Sequence, residues 1–251
     1  SLKGKGRAGR GKGRKLDERI KAANRPARAI ERIPLGFAER ARIAAALPVP
    51  KALWGCEVQE PSPSTLRIFA RTVLRGIWRS KHKMRCPEVV NTLLLRGHRV
   101  DPWQAMHFRR IMLWRRMVLQ RPDLHPLLRR AWGGVGVGSV PGPVGRMHAT
   151  LEALGWTWPR YDAARPPGEE PIALDCAEGG RLAHRVREAL RGARLQAAAA
   201  RRPDSMRGLG EELPHRHTRS LRRQLDHGAV PHPQDDLARG RVALPVPIFG
   251  H

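Results

Sequence analysis

Acidic residues, cysteine and tyrosine are scarce in this chain of 251 residues. It has 22 Asp and Glu against 48 Lys and Arg, three Cys and a single Tyr. Cys56, Cys86 and Cys176 are too widely spaced for a CxxC metal pair, and their odd number does not suit a disulfide framework. We therefore expect reduced thiols in a nuclear or cytoplasmic protein.

Long apolar segments are also missing. The sequence has no run of about 18 apolar residues, and its N-terminus lacks the apolar region of a signal peptide. Neither a membrane-spanning segment nor secretion is therefore expected. The sequence does not predict an oligomeric state.

Residue patterns that support catalysis are absent too. Polymerase and nuclease metal sites need two or more converging carboxylates. Three adjacent acidic pairs, Glu169-Glu170, Glu211-Glu212 and Asp235-Asp236, all follow Tyr161. The C-terminal histidines have no cysteine partner and lie among arginines, which disfavours a metal site. We expect no metal and no cofactor.

Nucleophile and phosphate-loop signatures are equally weak. No GxSxG motif is present, and the Gly-rich segment 133–145 contains neither GxGxxG nor GxxxxGK[ST]. Cys56 has no neighbouring His or acid with an evident orienting role, so we interpret it as a buried thiol packed near Trp54. No catalytic residue is expected in this chain.

Cationic side chains are present in large excess. The formal net charge is +26, and 40 of the 48 basic residues are arginine. A field of this size attracts polyanions and destabilises the fold by self-repulsion, which predicts nucleic acid as the partner. A GC-rich coding sequence, which raises the arginine content without selection for binding, is the alternative explanation.

The distribution of aromatic residues divides the chain into three parts. All seven Trp, the Tyr and three of the four Phe lie between Phe37 and Tyr161, so a core is expected there. We predict a disordered basic arm over residues 1–15, a helical region over 16–160 and a low-complexity, largely disordered tail over 161–251. The predicted fold class is mainly α, an irregular helical bundle, because no segment shows sustained alternation of period two.

Two helical regions are predicted before residue 50. Apolar residues spaced by three and four place one buried face on residues 16–30, where Pro26 predicts either a kink or two short helices. A further Ala-rich helix is predicted from Phe37 to Leu47 and ends before Pro48.

An amphipathic helix follows, capped by Ser62 or Ser64. Its apolar stripe consists of Leu66, Phe69, Ala70, Val73 and Ile77. Arg67, Arg71 and Arg75 are four residues apart and form a stripe on an adjoining face. An anionic partner would relieve their mutual repulsion, and a solvated face is the alternative.

Asp101 and Pro102 predict the start of the longest helix, which ends near Arg121. Apolar side chains cover most of its circumference, which indicates a central core helix. Its four arginines join those of the preceding helix as candidate phosphate ligands. The full set is Arg67, Arg71, Arg75, Arg109, Arg110, Arg115 and Arg116.

Several short motifs support a resemblance to a known family. They are Ile33-Pro34-Leu35, Lys51-Ala52-Leu53-Trp54-Gly55-Cys56-Glu57, Leu74-Arg75-Gly76-Ile77-Trp78, Gly142-Pro143-Val144-Gly145-Arg146 and Leu154-Gly155-Trp156. Residues 33–158 thereby resemble the region that follows the palm domain in reverse transcriptases of non-LTR (LINE-type) retroelements. The second motif is similar to the family's "LYGxE" segment, with Trp54 in place of Tyr, and the third is similar to its "R-x-I-W" helix. The catalytic "Y/F-A-D-D" strand is absent.

The resemblance implies the thumb and the helical connection beyond it, without fingers or palm. Such a thumb grips the duplex of primer and template through its backbone, so RNA or an RNA/DNA duplex is the expected partner. The predicted function is a non-catalytic, nucleic-acid-gripping fragment of a retrotransposon RNA-directed DNA polymerase. Two alternatives are a basic RNA-associated protein of ribosomal or nucleolar type and a decayed open reading frame.

Overall fold

In a computed structural model the chain is mainly helical, which confirms the predicted fold class. The structure describes residues 14–79, 88, 90–134, 142–175 and 179–201. Nearly all of the predicted basic arm, and the tail beyond residue 201, lie outside these residues. The helices are α1 (Arg14–Ala29), α2 (Phe37–Ala46), α3 (Pro48–Ala52), α4 (Pro63–Trp78), α5 (Gly97–Val100), α6 (Pro102–Gln120), α7 (His125–Gly133), α8 (Pro143–Ala153) and α9 (Gly179–Arg201). The strands are β1 (Thr157–Arg160), β2 (Ala163–Arg165) and β3 (Ile172–Ala173).

A first core forms around α1 and α4. The predicted face of α1 is buried, and Pro26 lies within this helix without dividing it. Ser62 caps α4 as predicted, since its Oγ accepts a hydrogen bond from the Thr65 N–H at 3.3 Å. The apolar stripe of α4 is buried as well. Local sequence signals therefore place both helices correctly.

The two helices pack side by side in the same direction. Near the start of each helix, the Ser62 N–H donates to Asp17 Oδ1 at 2.8 Å. Near the end, Arg75 Nε lies 3.2 Å from Glu31 Oε2. Between these contacts the backbones approach closely, because a Cβ on Gly76 would lie 2.4 Å from the carbonyl oxygen of Ala27. Glycine at residue 76 is thus required for this packing.

Helix α6 connects the first core to a second one. Its N-terminus is capped by Asp101, whose Oδ1 accepts from the Trp103 N–H at 3.1 Å. Met106 belongs to the first core, whereas Ile111 and Trp114 belong to the second. The prediction of a central core helix is confirmed, although α9, with 23 residues, is longer than α6, with 19.

The second core includes residues that the sequence analysis assigned to the tail. The three strands form an antiparallel sheet in the order β1-β2-β3. Leu182, Val186 and Leu190 of α9 are fully buried in this core, beside Trp114 and Trp156. The predicted end of the folded region near residue 160 is therefore too early. An aliphatic stripe without aromatic residues is sufficient here because the aromatic side chains come from other elements.

Among the described residues, no helix is both long enough and apolar enough to span a bilayer.

Candidate nucleic-acid interface

The outer face of α4 carries the first predicted arginine row. Arg67, Arg71 and Arg75 are all exposed, on the side of the helix that does not enter the core. Arg75 pairs with Glu31 and stays 51% exposed. In the part of the chain that the structure describes, Arg67 and Arg71 have no acidic partner. Two of the three guanidinium groups are therefore uncompensated.

Helix α1 adds a second row that the sequence analysis missed. Lys21, Arg25 and Arg28 are exposed and spaced by four and three residues. The row runs between Asp17 and Glu31, the two residues that contact α4. Residues three or four apart are neighbours on a helix surface, so the row continues the line of Asp17 and Glu31 along the exposed side of α1. The spacing is visible in the sequence, but only the parallel packing shows that the two rows lie on neighbouring helices.

Together these two rows define the α1–α4 basic face. Its members are Lys21, Arg25, Arg28, Arg67, Arg71 and Arg75. Exposed ammonium and guanidinium groups in adjoining rows provide donors for several phosphate oxygens at once.

Arg110 of α6 has a different environment, which corrects its assignment as a phosphate ligand. Its side chain is 1% exposed. Nε donates to the Cys56 carbonyl oxygen at 2.9 Å, and Nη2 donates to the Gln59 carbonyl oxygen at 3.1 Å and to Glu60 Oε2 at 2.9 Å. Burial lowers the pKa of Arg110, because the charged form loses its hydration. This arginine holds the turn that follows α3 and cannot reach a ligand.

The other arginines of α6 also do not form one exposed edge. Arg109 pairs with Glu57 at 3.3 Å and donates to the Pro50 carbonyl oxygen at 3.3 Å. Arg115 is half-buried against the start of α9, where a Cβ on Gly179 would lie 2.6 Å from its Nη2. Arg116 is exposed. Of the predicted α6 set, only Arg116 has the exposure that phosphate binding requires.

Glu60 connects this turn to α8 as well. Its Oε2 lies 2.9 Å from Arg110 Nη2 and 2.8 Å from Arg146 Nη1. Two arginines thus share one carboxylate, which fixes the position of the turn between α3 and α4.

Cys56 is buried, which confirms its interpretation as a core thiol. Burial, with a smaller contribution from the Glu57 carboxylate, raises the pKa of the thiol to about 12. The thiol is therefore protonated at neutral pH and is not a nucleophile. Trp54, which we expected beside it in the core, is instead 68% exposed.

Within the described residues, no group of three His, Cys, Asp or Glu is placed to hold a metal ion. Of the acidic pairs in the sequence, Glu169-Glu170 lies in an exposed loop, where Glu169 pairs with Arg185 at 2.7 Å. The pairs Glu211-Glu212 and Asp235-Asp236, and the C-terminal histidines, lie outside the described residues.

Comparisons of the chain with protein-family models, with curated proteins and with solved structures found no significant match. The reverse-transcriptase resemblance thus rests on the sequence motifs alone.

Proposed function

We propose that the chain binds the sugar-phosphate backbone of nucleic acid through the α1–α4 basic face. The observation that carries this proposal is the exposure of two cationic rows on neighbouring parallel helices, in which Arg67 and Arg71 have no acidic partner among the described residues. Contacts of this kind supply affinity and register without reading bases. The overall charge of +26 adds long-range attraction for the same class of ligand.

We further propose that the chain is a helical, non-catalytic part of a retrotransposon RNA-directed DNA polymerase. The support is the sequence resemblance. Its Lys51–Glu57 motif forms the end of α3 and the turn after it, and its Leu74–Trp78 motif forms the last residues of α4. Both α3 and α4 pack directly against α1. The motifs therefore belong to the same part of the structure as the basic face, and an RNA/DNA duplex is the ligand to test first.

The test is the salt dependence of binding to an RNA/DNA duplex, measured by fluorescence anisotropy between about 50 and 200 mM salt. The triple variant Arg67→Gln, Arg71→Gln, Arg75→Gln should reduce the slope of log affinity against log salt by up to about three, near one unit per lost phosphate contact. Duplexes of different sequence should bind with similar affinity.

A charge-matched control distinguishes the contribution of the α1–α4 basic face to binding from that of the net charge. Arg99, Arg130 and Arg165 are exposed residues outside the α1–α4 basic face. Replacing these three by Gln removes the same charge and should leave most of the slope in place. Equal slopes for the two triple variants would show that binding follows total charge, and the α1–α4 basic face would then have no specific role.

A further inference from the structure

Trp54 is exposed on a rigid turn, which is an unusual setting for the largest apolar side chain. Its side chain is 68% exposed, whereas every other Trp in the described residues is buried or half-buried. It lies in the turn after α3, and its backbone carbonyl oxygen accepts a hydrogen bond from Arg19 of α1. A single exposed apolar residue is common on protein surfaces. Any binding role for Trp54 must therefore be argued from the residues around it.

The backbone of this turn is fixed from two sides. On one side, Arg19 Nη1 of α1 donates to the Trp54 carbonyl oxygen. Gly55 adopts a φ of +88°, and a Cβ there would lie 3.4 Å from the same guanidinium. On the other side, Arg110 Nε donates to the Cys56 carbonyl oxygen. The backbone that carries the indole is therefore preorganised, so a ligand would have to order only the side-chain torsions of Trp54.

The elements that meet at this turn carry cationic side chains. Arg19 contacts the turn itself, Lys51 is exposed three residues before Trp54, and Lys15 is exposed one helical turn before Arg19. Of the acids nearby, Glu57 pairs with Arg109, and Asp17 accepts from the Ser62 N–H. An aromatic face among cations matches a nucleotide, whose base stacks while its phosphate binds the cations.

The α1–α4 basic face begins close to this turn. Asp17 and Arg19 lie on one turn of α1, and they contact the start of α4 and the Trp54 turn respectively. A helix is about 10 Å in diameter, so a strand that leaves the basic face needs to cross only the end of α1 to reach the indole.

We propose that Trp54 stacks an unpaired base of a strand that continues from the α1–α4 basic face. This inference rests on the proposed function, and it defines the ligand class as a nucleic acid with a junction between duplex and single strand. A fully paired blunt duplex would engage the basic face without the indole.

The experiment compares a duplex that carries a single-stranded thymidine overhang with the same duplex as a blunt end. Trp54→Ala should weaken binding of the overhang ligand by about 5- to 150-fold, the range for loss of one stacked base, and should leave blunt-duplex affinity unchanged. Trp54→Phe should retain most of the affinity, and Trp54→Leu should not. Val58→Ala is the matched control, since Val58 is 47% exposed on the same turn. Tryptophan emission should fall on addition of the overhang ligand, and this quenching should be absent in Trp54→Ala.

Each outcome distinguishes the inference from the proposed function. Unchanged affinity of Trp54→Ala for the overhang ligand overturns the stacking inference. The proposed function is still supported in that case if the triple Gln variant of the α1–α4 basic face reduces the salt slope. Equal weakening for both ligands also overturns stacking. Absence of binding by the unmodified chain overturns both proposals. If Trp54→Ala does not fold, the comparison of Phe with Leu decides the question, because only an aromatic ring can stack.

Discussion

The arginines of α4 face solvent, whereas three of the four arginines of α6 contact protein. Helix α4 has one buried stripe, so its opposite side is free for Arg67 and Arg71. Helix α6 passes through both cores, and even polar residues such as Arg110 and His107 are buried on it. A buried guanidinium is tolerated only where fixed acceptors replace its hydration. The acceptors around an arginine, and not its spacing along a helix, decide whether its charge is available to a ligand.

Each buried polar group of α6 fixes a different part of the fold. Arg110 holds the turn after α3. His107 Nδ1 lies 2.9 Å from Thr150 Oγ1 of α8. Asp101, at the N-terminus of α6, pairs with Arg194 of α9 at 2.7 Å. Helix α6 is therefore the element to which these parts of the fold attach. Substitutions on α6 should lower the free energy of unfolding more than substitutions on α4.

The largest expected effect is at Arg110. Arg110→Met keeps the length of the side chain but leaves two carbonyl oxygens and part of the Glu60 carboxylate without a donor. The free energy of unfolding should fall by about 2–4 kcal/mol. Arg71→Met, the matched change on α4, should alter it by less than about 0.5 kcal/mol. Urea denaturation measures both values, and equal values would remove the distinction between the two helices.

The next effect is the acid sensitivity that His107 confers. Burial, with smaller contributions from Arg110 and Arg194, lowers its pKa from 6.5 to about 3. Above pH 6.5 the ring is neutral in both states. Below pH 6.5 the unfolded chain binds a proton that the folded chain does not, so the free energy of unfolding falls by up to about 1.4 kcal/mol per pH unit until pH 3.

His107→Gln should therefore reduce the fall in the free energy of unfolding between pH 6.5 and 4.5. At pH 7 this variant should be less stable than the unmodified chain. Denaturation at several pH values gives the slope. His98, whose pKa is lowered to about 4 mainly by burial, contributes with the same sign in both proteins, so the difference between them isolates His107. His148→Gln, at an exposed site of α8, is the control. An unchanged slope in His107→Gln would mean that residue 107 is accessible to solvent.

The smallest expected effect is the stability of the α4 triple variant. Replacing Arg67, Arg71 and Arg75 by Gln removes one exposed ion pair with Glu31 and also relieves repulsion between like charges. Gln keeps the helix propensity, so the free energy of unfolding should change by no more than about 0.5 kcal/mol in either direction. Thermal melting checks this value. A larger loss would give this row the structural role that Arg110 has on α6.

Features that depend on neighbours within one helical turn were predictable from the sequence. Ser62 as the cap of α4, and Asp101 with Pro102 at the start of α6, are of this kind. The burial of Arg110 was not predictable, because its acceptors lie about 50 residues away in the chain. The position of α9 was missed because its aliphatic stripe completes a core whose aromatic residues lie in α6 and after α8.

The close approach of Gly76 to Ala27 holds α1 and α4 at a fixed separation near their C-terminal ends. A side chain at residue 76 would meet the Ala27 carbonyl oxygen and the Ile30 Cβ. The separation of α1 and α4 at this point is therefore set by backbone packing, and it does not depend on a side chain at residue 76. Under the proposed function, a fixed spacing of the two helices would favour a ligand of matching diameter, and this selection would need no contact to a base.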